Sequence, residues 1–374
     1  MSSLMVPETR VLAVASHVVS GNVGNKIAVF TMQSLGCEVA ALNTVQFSNH
    51  TGYKQWKGTR VSADEISDLW EGLKQSYLDG FDMMLSGYIP GAAAVEAVGR
   101  IAVELKAKAK AGGSAPGSFF WVLDPVMGDN GTLYVAPDVV PAYKALLRHA
   151  DLILPNQFEA EVLSEVEIVD AVSLERAVGV LHARSGVPHV IITSVSLPHP
   201  DHPEKSMWVV GSTRTSDGQP RMFKIVFPAI DCYFSGTGDM FAALMVARMR
   251  EAVHRDTTTQ AAAAATTVPL GDRASWISDD SVEAVDLPLA RAAEKVLATM
   301  HEVLTKTLEG MEAEMARVRE KLAAAAAAEG AAASEEEQAK VLRLHRSRAA
   351  ELRLVRNLES LRNPNVAALH AVKM

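Results

Sequence analysis

Along the first 250 residues of this chain, short apolar runs alternate with longer amphipathic stretches, and that rhythm limits the fold more than any other feature. Eight runs read as strands, several of them rich in Val and Ile: residues 11–19, 38–46, 83–86, 119–126, 152–154, 190–193, 207–211 and 222–226. Between them, residues 24–35, 63–79, 92–110, 137–148, 157–164 and 174–185 carry helical spacing. Ser62 and Glu65 stand in the S-x-x-E arrangement that opens a helix. Strands that alternate with helices imply an α/β fold with a mostly parallel sheet covered on both faces.

A length of 374 residues suggests two or three domains, and one large α/β domain also fits. Apolar residues make up 48% and charged residues 21%, enough to build a core and to exclude global disorder. The net charge of −8 argues against a nucleic-acid partner, which would call for a basic stripe. Two cysteines, Cys37 and Cys232, exclude a disulfide scaffold and a four-cysteine zinc site, and they point to a reducing compartment. The first ten residues lack the pattern of a secretory signal, and no uninterrupted apolar run reaches about 18 residues. A soluble intracellular protein with no membrane partner is expected.

The composition changes after Arg250. Residues 256–269 hold three consecutive threonines and five consecutive alanines. A helix is expected over about 289–309. Residues 311–340 then contain twelve alanines and seven glutamates, a helix-prone segment with little apolar surface to bury. It reads as a solvated helix or a disordered insert. Residues 341–362 carry six arginines against two glutamates. The chain divides accordingly into 1–310 (with an insert at about 253–285), the low-complexity insert 311–340, and a C-terminal segment 341–374 that returns to the first part.

The strongest chemical signal is Gly236-Thr237-Gly238-Asp239, placed between a strand-like segment and an apolar helix pattern. A glycine turn feeding a helix presents unpaired N–H groups at the positive end of the helix dipole, which suits phosphate. A carboxylate there is repelled by phosphate unless it has a task, and accepting a proton from an attacking hydroxyl is the natural one. An ordinary N-terminal aspartate after a turn is the competing reading. Asp124-Pro125-Val126-Met127-Gly128-Asp129 follows an apolar strand, where carboxylates suit Mg²⁺ or simply cap a turn. Pro155-Asn156-Gln157-Phe158-Glu159 follows the next strand and offers a cap plus a carboxylate. Near the N-terminus, Ser16 through Asn25 read as strand, glycine turn and helix, matching neither a Walker A loop nor G-x-G-x-x-G. The stretch from Val45 to Tyr53, with Trp56, mixes aromatic and hydrogen-bonding groups as a pocket for a flat polar heterocycle would.

In this order, SHVVSGNVGN, NTVQFSNHTGY with WKG, SGY, DPVMGD, PNQFEAE, ITS and GTGD resemble the pyridoxal kinases of the ribokinase-like superfamily. The resemblance covers about residues 10–250 and resumes at about 286–309 and 351–366. It implies a ribokinase-like three-layer α/β/α fold. It also implies transfer of the γ-phosphoryl group of ATP to the 5′-hydroxymethyl of pyridoxal, pyridoxine or pyridoxamine. Asp239 would be the catalytic base, with the amides of Gly236, Thr237 and Gly238 as the anion hole. Ser16, Thr51 and Tyr88 would contact the pyridine ring, and Val45, Phe47 and His50 would line its pocket. Asn156, Thr193, Ser194 and Thr237 would contact ATP, with Ile230, Asp231 and Cys232 near the nucleotide. Asp129 and Glu159 would serve Mg²⁺, Asp124 a monovalent cation (K⁺ or Na⁺), and Tyr134 the loop near the phosphates. A cytoplasmic homodimer, with the nucleus also open to it, is the family expectation. The chain departs from its relatives at Leu154, where some have threonine, after Tyr88, and in the two inserts. A hydroxymethylpyrimidine kinase of the same fold and a catalytically silent scaffold are the alternative readings.

Overall fold

The computed structural model describes residues 6–197, 205–263, 268–329 and 334–374. Residues 264–267 of the first insert and 330–333 of the second lie outside them. The N-terminal part runs β1 (Arg10–Val18), α1 (Asn25–Ser34), β2 (Glu38–Phe47), β3 (Gly58–Arg60), α2 (Ala63–Gln75), β4 (Met83–Ser86), α3 (Ala92–Ala111) and β5 (Phe120–Leu123). The short hairpin β6 (Gly128–Asp129) and β7 (Thr132–Leu133) precedes α4 (Val139–Leu146), β8 (Leu152–Ile153), α5 (Gln157–Ser164) and α6 (Ala171–Ser185). Then come β9 (His189–Val195), β10 (Ser206–Arg214), β11 (Pro220–Pro228) and α7 (Thr237–Ala263). Finally, α8 (Pro288–Glu329), α9 (Glu335–Ala349), α10 (Leu358–Arg362) and β12 (Val372–Lys373) close the chain.

Among the described residues, ten strands form one sheet in the order β12-β11-β10-β9-β8-β5-β4-β1-β2-β3. The six central strands from β9 to β2 are parallel, and the strands at both edges are antiparallel. Side chains alternate between two cores with the period of the pleat. Val11, Ala13, Leu85, Phe120 and Val122 face α1, α7 and α8; Leu12, Val14, Met84, Trp121 and Leu123 face α3, α4 and α6. Helices thus cover both faces, which explains why β4 and β5 are buried along their whole length.

The expected strand over 119–126 stops at Leu123, just before Asp124-Pro125, because proline cannot donate to a ladder. Ser62 caps α2 as expected: its Oγ accepts from the Glu65 amide at 3.2 Å, and Glu65 accepts from the Ser62 amide at 2.8 Å. The helix expected to end at Glu309 continues to Glu329, with Met311 and Met315 buried against the core. Their four-residue spacing keeps one helical face apolar past the compositional change, and the alanines that follow offer no reason to stop. The stretch after α7 also supplies core, since Trp276 stacks on Phe120 with ring centroids 4.1 Å apart.

From β1 the chain moves to β2 on one side, then to β4, β5, β8 and β9 on the other. In an open parallel sheet such a switch leaves a crevice beyond the carboxyl ends of the strands, where ligands bind.

Candidate active site

The crevice is a cavity of about 1480 Å³. It is lined by Ser16 after β1, Val45 and Phe47 at the end of β2, His50 and Thr51, Tyr88 after β4, and Asp124 and Asp129 after β5. Asn156 and Glu159 at the start of α5, Thr193 and Ser194 in β9, Ile230 and Cys232, and Gly236 through Asp239 complete the set. Segments spread over more than 220 residues thus meet because each strand delivers its carboxyl end to the same edge. Asp231 is the exception: its side chain is exposed and lies outside the cavity lining.

One end of the cavity is apolar. Val18, Val23, Val45 and Phe47 form a buried cluster of their own, separate from the two cores, with Tyr88 packed on it. Trp56 reaches Phe47 at a centroid distance of 6.4 Å, and His50 packs against Tyr53 at 4.6 Å with the rings tilted by 54°. Such a patch, rimmed by Ser16, His50 and Thr51, fits a flat ring with polar substituents.

At the centre stands the first turn of α7. Gly236, at φ 84°, brings the chain so close to the β1–α1 turn that a Cβ would lie 2.5 Å from the Asn22 carbonyl oxygen. The amides of Gly236, Thr237 and Gly238 have no acceptor among the described residues, which leaves them to an anion at the helix N-terminus. Asp239 projects from the same turn. Burial pushes its carboxyl up to about 6, partly offset by the hydrogen bond it accepts from the Gly24 amide.

Two further carboxylates share this low-dielectric space. Asp124 is buried, and desolvation, followed by the charges of Glu159 and Asp239, drives its pKa well up. Burial likewise raises Glu159 to about 7, against three amide donors that favour its charge. Those donors are Met127 at 2.8 Å, Gly128 at 3.3 Å and Asn156 at 2.9 Å. Asn156 returns the bond by capping the Glu159 amide at 2.9 Å, and its Nδ2 donates to the Gly128 carbonyl at 2.8 Å. The capping box therefore also ties the α5 turn to the loop after β5. Glu159→Ala strands three amide donors in a buried site and should destabilise the fold by about 2–4 kcal/mol, read from chemical denaturation.

Asp129 is exposed at the tip of the β6–β7 hairpin, where Asn130 donates to both its oxygens, at 2.8 and 3.1 Å. Tyr134 is more than half exposed beside it. Among the described residues no three acidic, histidine or cysteine side chains converge as a metal cage. Mg²⁺ keeps several waters and takes phosphate oxygens alongside one or two carboxylates, and Asp129 and Glu159 are the carboxylates that would hold it. The concentration of acidic groups with raised pKa in one cavity is the observation that fits a cation there.

Residues that the sequence motifs did not single out also line the cavity: Leu297, Met300, His301 and Leu304 of α8, and Arg343 of α9. Nothing in their local sequence marks them; the four from α8 share one helical face, at spacings of three and four, which is a core signal as much as a binding one.

The fold and site together define a small-molecule kinase. The phosphomethylpyrimidine kinase family matches residues 104–275. The chain is 40% identical over 252 residues to the human pyridoxal kinase, covering 65% of this chain and 78% of that protein. It is 38% identical over 248 residues to the Arabidopsis thaliana pyridoxal kinase, covering 65% and 76%. The structure of the Leishmania donovani pyridoxal kinase in complex with ADP and pyridoxamine superimposes with a TM-score of 0.72 at 28% identity, covering 98% of this chain and all of that one. The chain belongs to the pyridoxal kinase family. Its single large sheet between two helical layers is the three-layer ribokinase-like architecture that the sequence resemblance implied.

Proposed function

We propose that the cavity transfers the γ-phosphoryl group of MgATP to the 5′-hydroxymethyl of pyridoxal, and of pyridoxine and pyridoxamine, with Asp239 as the base. The observation that carries this reading is the placement of Asp239. It stands on the same turn as three amides that have no acceptor among the described residues, in one cavity with the apolar ring pocket and the buried Asp124 and Glu159.

The vitamin ring lies on Val45, Phe47 and Tyr88, with Ser16, His50 and Thr51 at its polar edge. Asp239 accepts the proton of the 5′-hydroxyl while the oxygen forms its bond to the γ-phosphorus and the bond from phosphorus to the ADP oxygen breaks. The amides of Gly236, Thr237 and Gly238 hold the equatorial oxygens of the transferring group, fixed in place before the reaction begins. Asn156, Thr193 and Ser194 bind the phosphates, Thr237 also touches ATP, and Ile230 and Cys232 border the nucleotide. Asp129 and Glu159 would hold Mg²⁺ through its waters, and Asp124 a monovalent cation. These ions supply charge neutralisation on the phosphates. We read residues 1–310 with 341–374 as one catalytic unit, working as a homodimer. Both described cysteines are free, which favours the cytoplasm.

Formation of pyridoxal 5′-phosphate from pyridoxal and MgATP, followed spectrophotometrically, tests this reading; no product would refute it. The match to the phosphomethylpyrimidine kinase family supports a second reading, hydroxymethylpyrimidine phosphorylation. That match begins at residue 104, beyond the pocket residues Ser16 to Tyr88, which is why the vitamin is preferred. Turnover of both compounds side by side decides between them.

A pH dependence follows from the site. Asp239 must be ionised to take a proton, and burial raises its pKa from 3.8 to about 6. Activity should therefore fall as the pH drops through about 6, where an unperturbed aspartate would hold to about 4. The sign for stability is opposite. Asp239 and Glu159 have folded values above their unfolded ones, so the stability they contribute is complete below about pH 4. It is lost as the pH rises through about 6 and 7. Rate profiles and thermal melts of the ligand-free protein from pH 4 to 8 should run in opposite directions.

A further inference from the structure

We infer that Glu351, some 300 residues distant in sequence, is a positioning residue for the vitamin side of the pocket. The inference rests on the kinase reading above. Glu351 follows α9, and its carboxylate reaches across to the loops that rim the ring pocket. Its Oε1 pairs with His50 Nε2 at 3.1 Å and accepts from the Tyr53 hydroxyl at 3.2 Å. Its Oε2 accepts from the Asn22 amide at 2.6 Å. The adjacent Leu352 carbonyl accepts from Asn22 Nδ2 at 2.9 Å, and Leu352 itself is fully buried in the core. One end of this clasp is thus anchored by hydrophobic packing, and the other holds two loops that flank the substrate.

The local sequence makes room for it. A Cβ at Gly21 would lie 2.6 Å from Glu351 Oε1, so only glycine lets the carboxylate sit against this turn. Burial works against the charge of Glu351. The bonds from His50, Asn22 and Tyr53 more than offset that penalty and hold its carboxyl below the usual range. The partners matter because one of them lines the cavity and the other two stand beside residues that do: Tyr53 lies between Gly52 and Lys54, and Asn22 precedes Val23. His50 lines the cavity and carries its proton on Nε2 when it donates to Glu351, which orients the ring. Asn22 precedes Gly24, whose amide holds Asp239, and its carbonyl lies under Gly236.

A carboxylate accepts from three donors without offering one of its own. Glutamine cannot: its amide must turn one N–H pair toward His50, Tyr53 or Asn22. Glu351→Gln should therefore loosen the loops without removing side-chain volume. With the kinase activity of the unaltered protein measured first, kcat/KM for pyridoxal should fall about 10–100-fold in Glu351→Gln. The KM for MgATP should stay within about twofold. Introduced into a His50→Ala background, the same change should lose most of its effect, since the two act as a unit. Wild-type kinetics in Glu351→Gln, equal losses toward both substrates, or additive effects in the double variant would each overturn the inference. Nitrogen-15 resonances of the His50 imidazole in the unaltered protein give a test that needs no variant. A protonated, hydrogen-bonded Nε2 is expected, and an unprotonated Nε2 would overturn the clasp. Failure of the unaltered protein to phosphorylate pyridoxal would instead refute the kinase reading, and the nitrogen measurement would still judge the clasp.

Discussion

Asp239→Asn is expected to lower kcat about 10²–10⁴-fold, the range for a lost general base, while nucleotide affinity stays within about twofold. Asparagine preserves the shape of the side chain and can still accept from the Gly24 amide, so the turn has no reason to move. What disappears is a group able to take the proton from the attacking hydroxyl. The variant also removes a negative charge that acts on Asp124, so Asp124 should titrate at lower pH. Steady-state kinetics with pyridoxal, paired with calorimetric titration of MgATP, separate the two effects. An unchanged kcat would remove Asp239 from the mechanism; a large loss of nucleotide affinity would reassign it to binding.

Gly24→Ala should damage both stability and activity. Gly24 sits at φ 55°, ψ −135°, a region closed to residues with a side chain, which costs about 1–3 kcal/mol. A Cβ there would lie 2.1 Å from the Ser16 carbonyl oxygen and 2.3 Å from its Oγ. Both are impossible contacts, and relieving them costs about 1–3 kcal/mol more. The turn must open, and in opening it carries the Gly24 amide away from Asp239 and displaces Ser16 in the pocket. The expected result is a fold about 2–6 kcal/mol weaker, together with a fall in kcat larger than dilution by unfolded protein explains. Activity measured per folded molecule, with the folded fraction taken from circular dichroism, checks this. A variant that is destabilised yet fully active when folded would show that the turn does not position the base.

Much of this architecture is legible from periodicity. The alternation of Leu12 and Val14 with Val11 and Ala13 already assigns the two faces of β1, because side chains on a strand point alternately to opposite layers. Asn156 and Glu159 announce their helix start through capping chemistry that needs no distant partner. The elements that escaped are short or depend on contacts. The strands β3, β6, β7 and β12 span two or three residues each, too few for any period to register. The extension of α8 past Glu309 rests on Met311 and Met315 finding the core, which spacing permits but does not require.

The candidate site divides in the same way. The glycines around Thr237, the Asp124–Asp129 loop and the Asn156–Glu159 turn are local patterns. Each places its functional atoms through its own backbone: a positive φ, a strand end or a cap. By itself the sequence determined the alternation of elements, the motifs at the strand ends and the resemblance to a kinase family. Only the tertiary structure decided that Asp231 is exposed outside the cavity lining, that α8 and α9 contribute to that lining, and that Glu351 clasps His50, Tyr53 and Asn22. The physical reason is reach. Caps and turns act over about four residues and leave a trace in the local sequence, whereas a contact across 300 residues is set by how the layers pack.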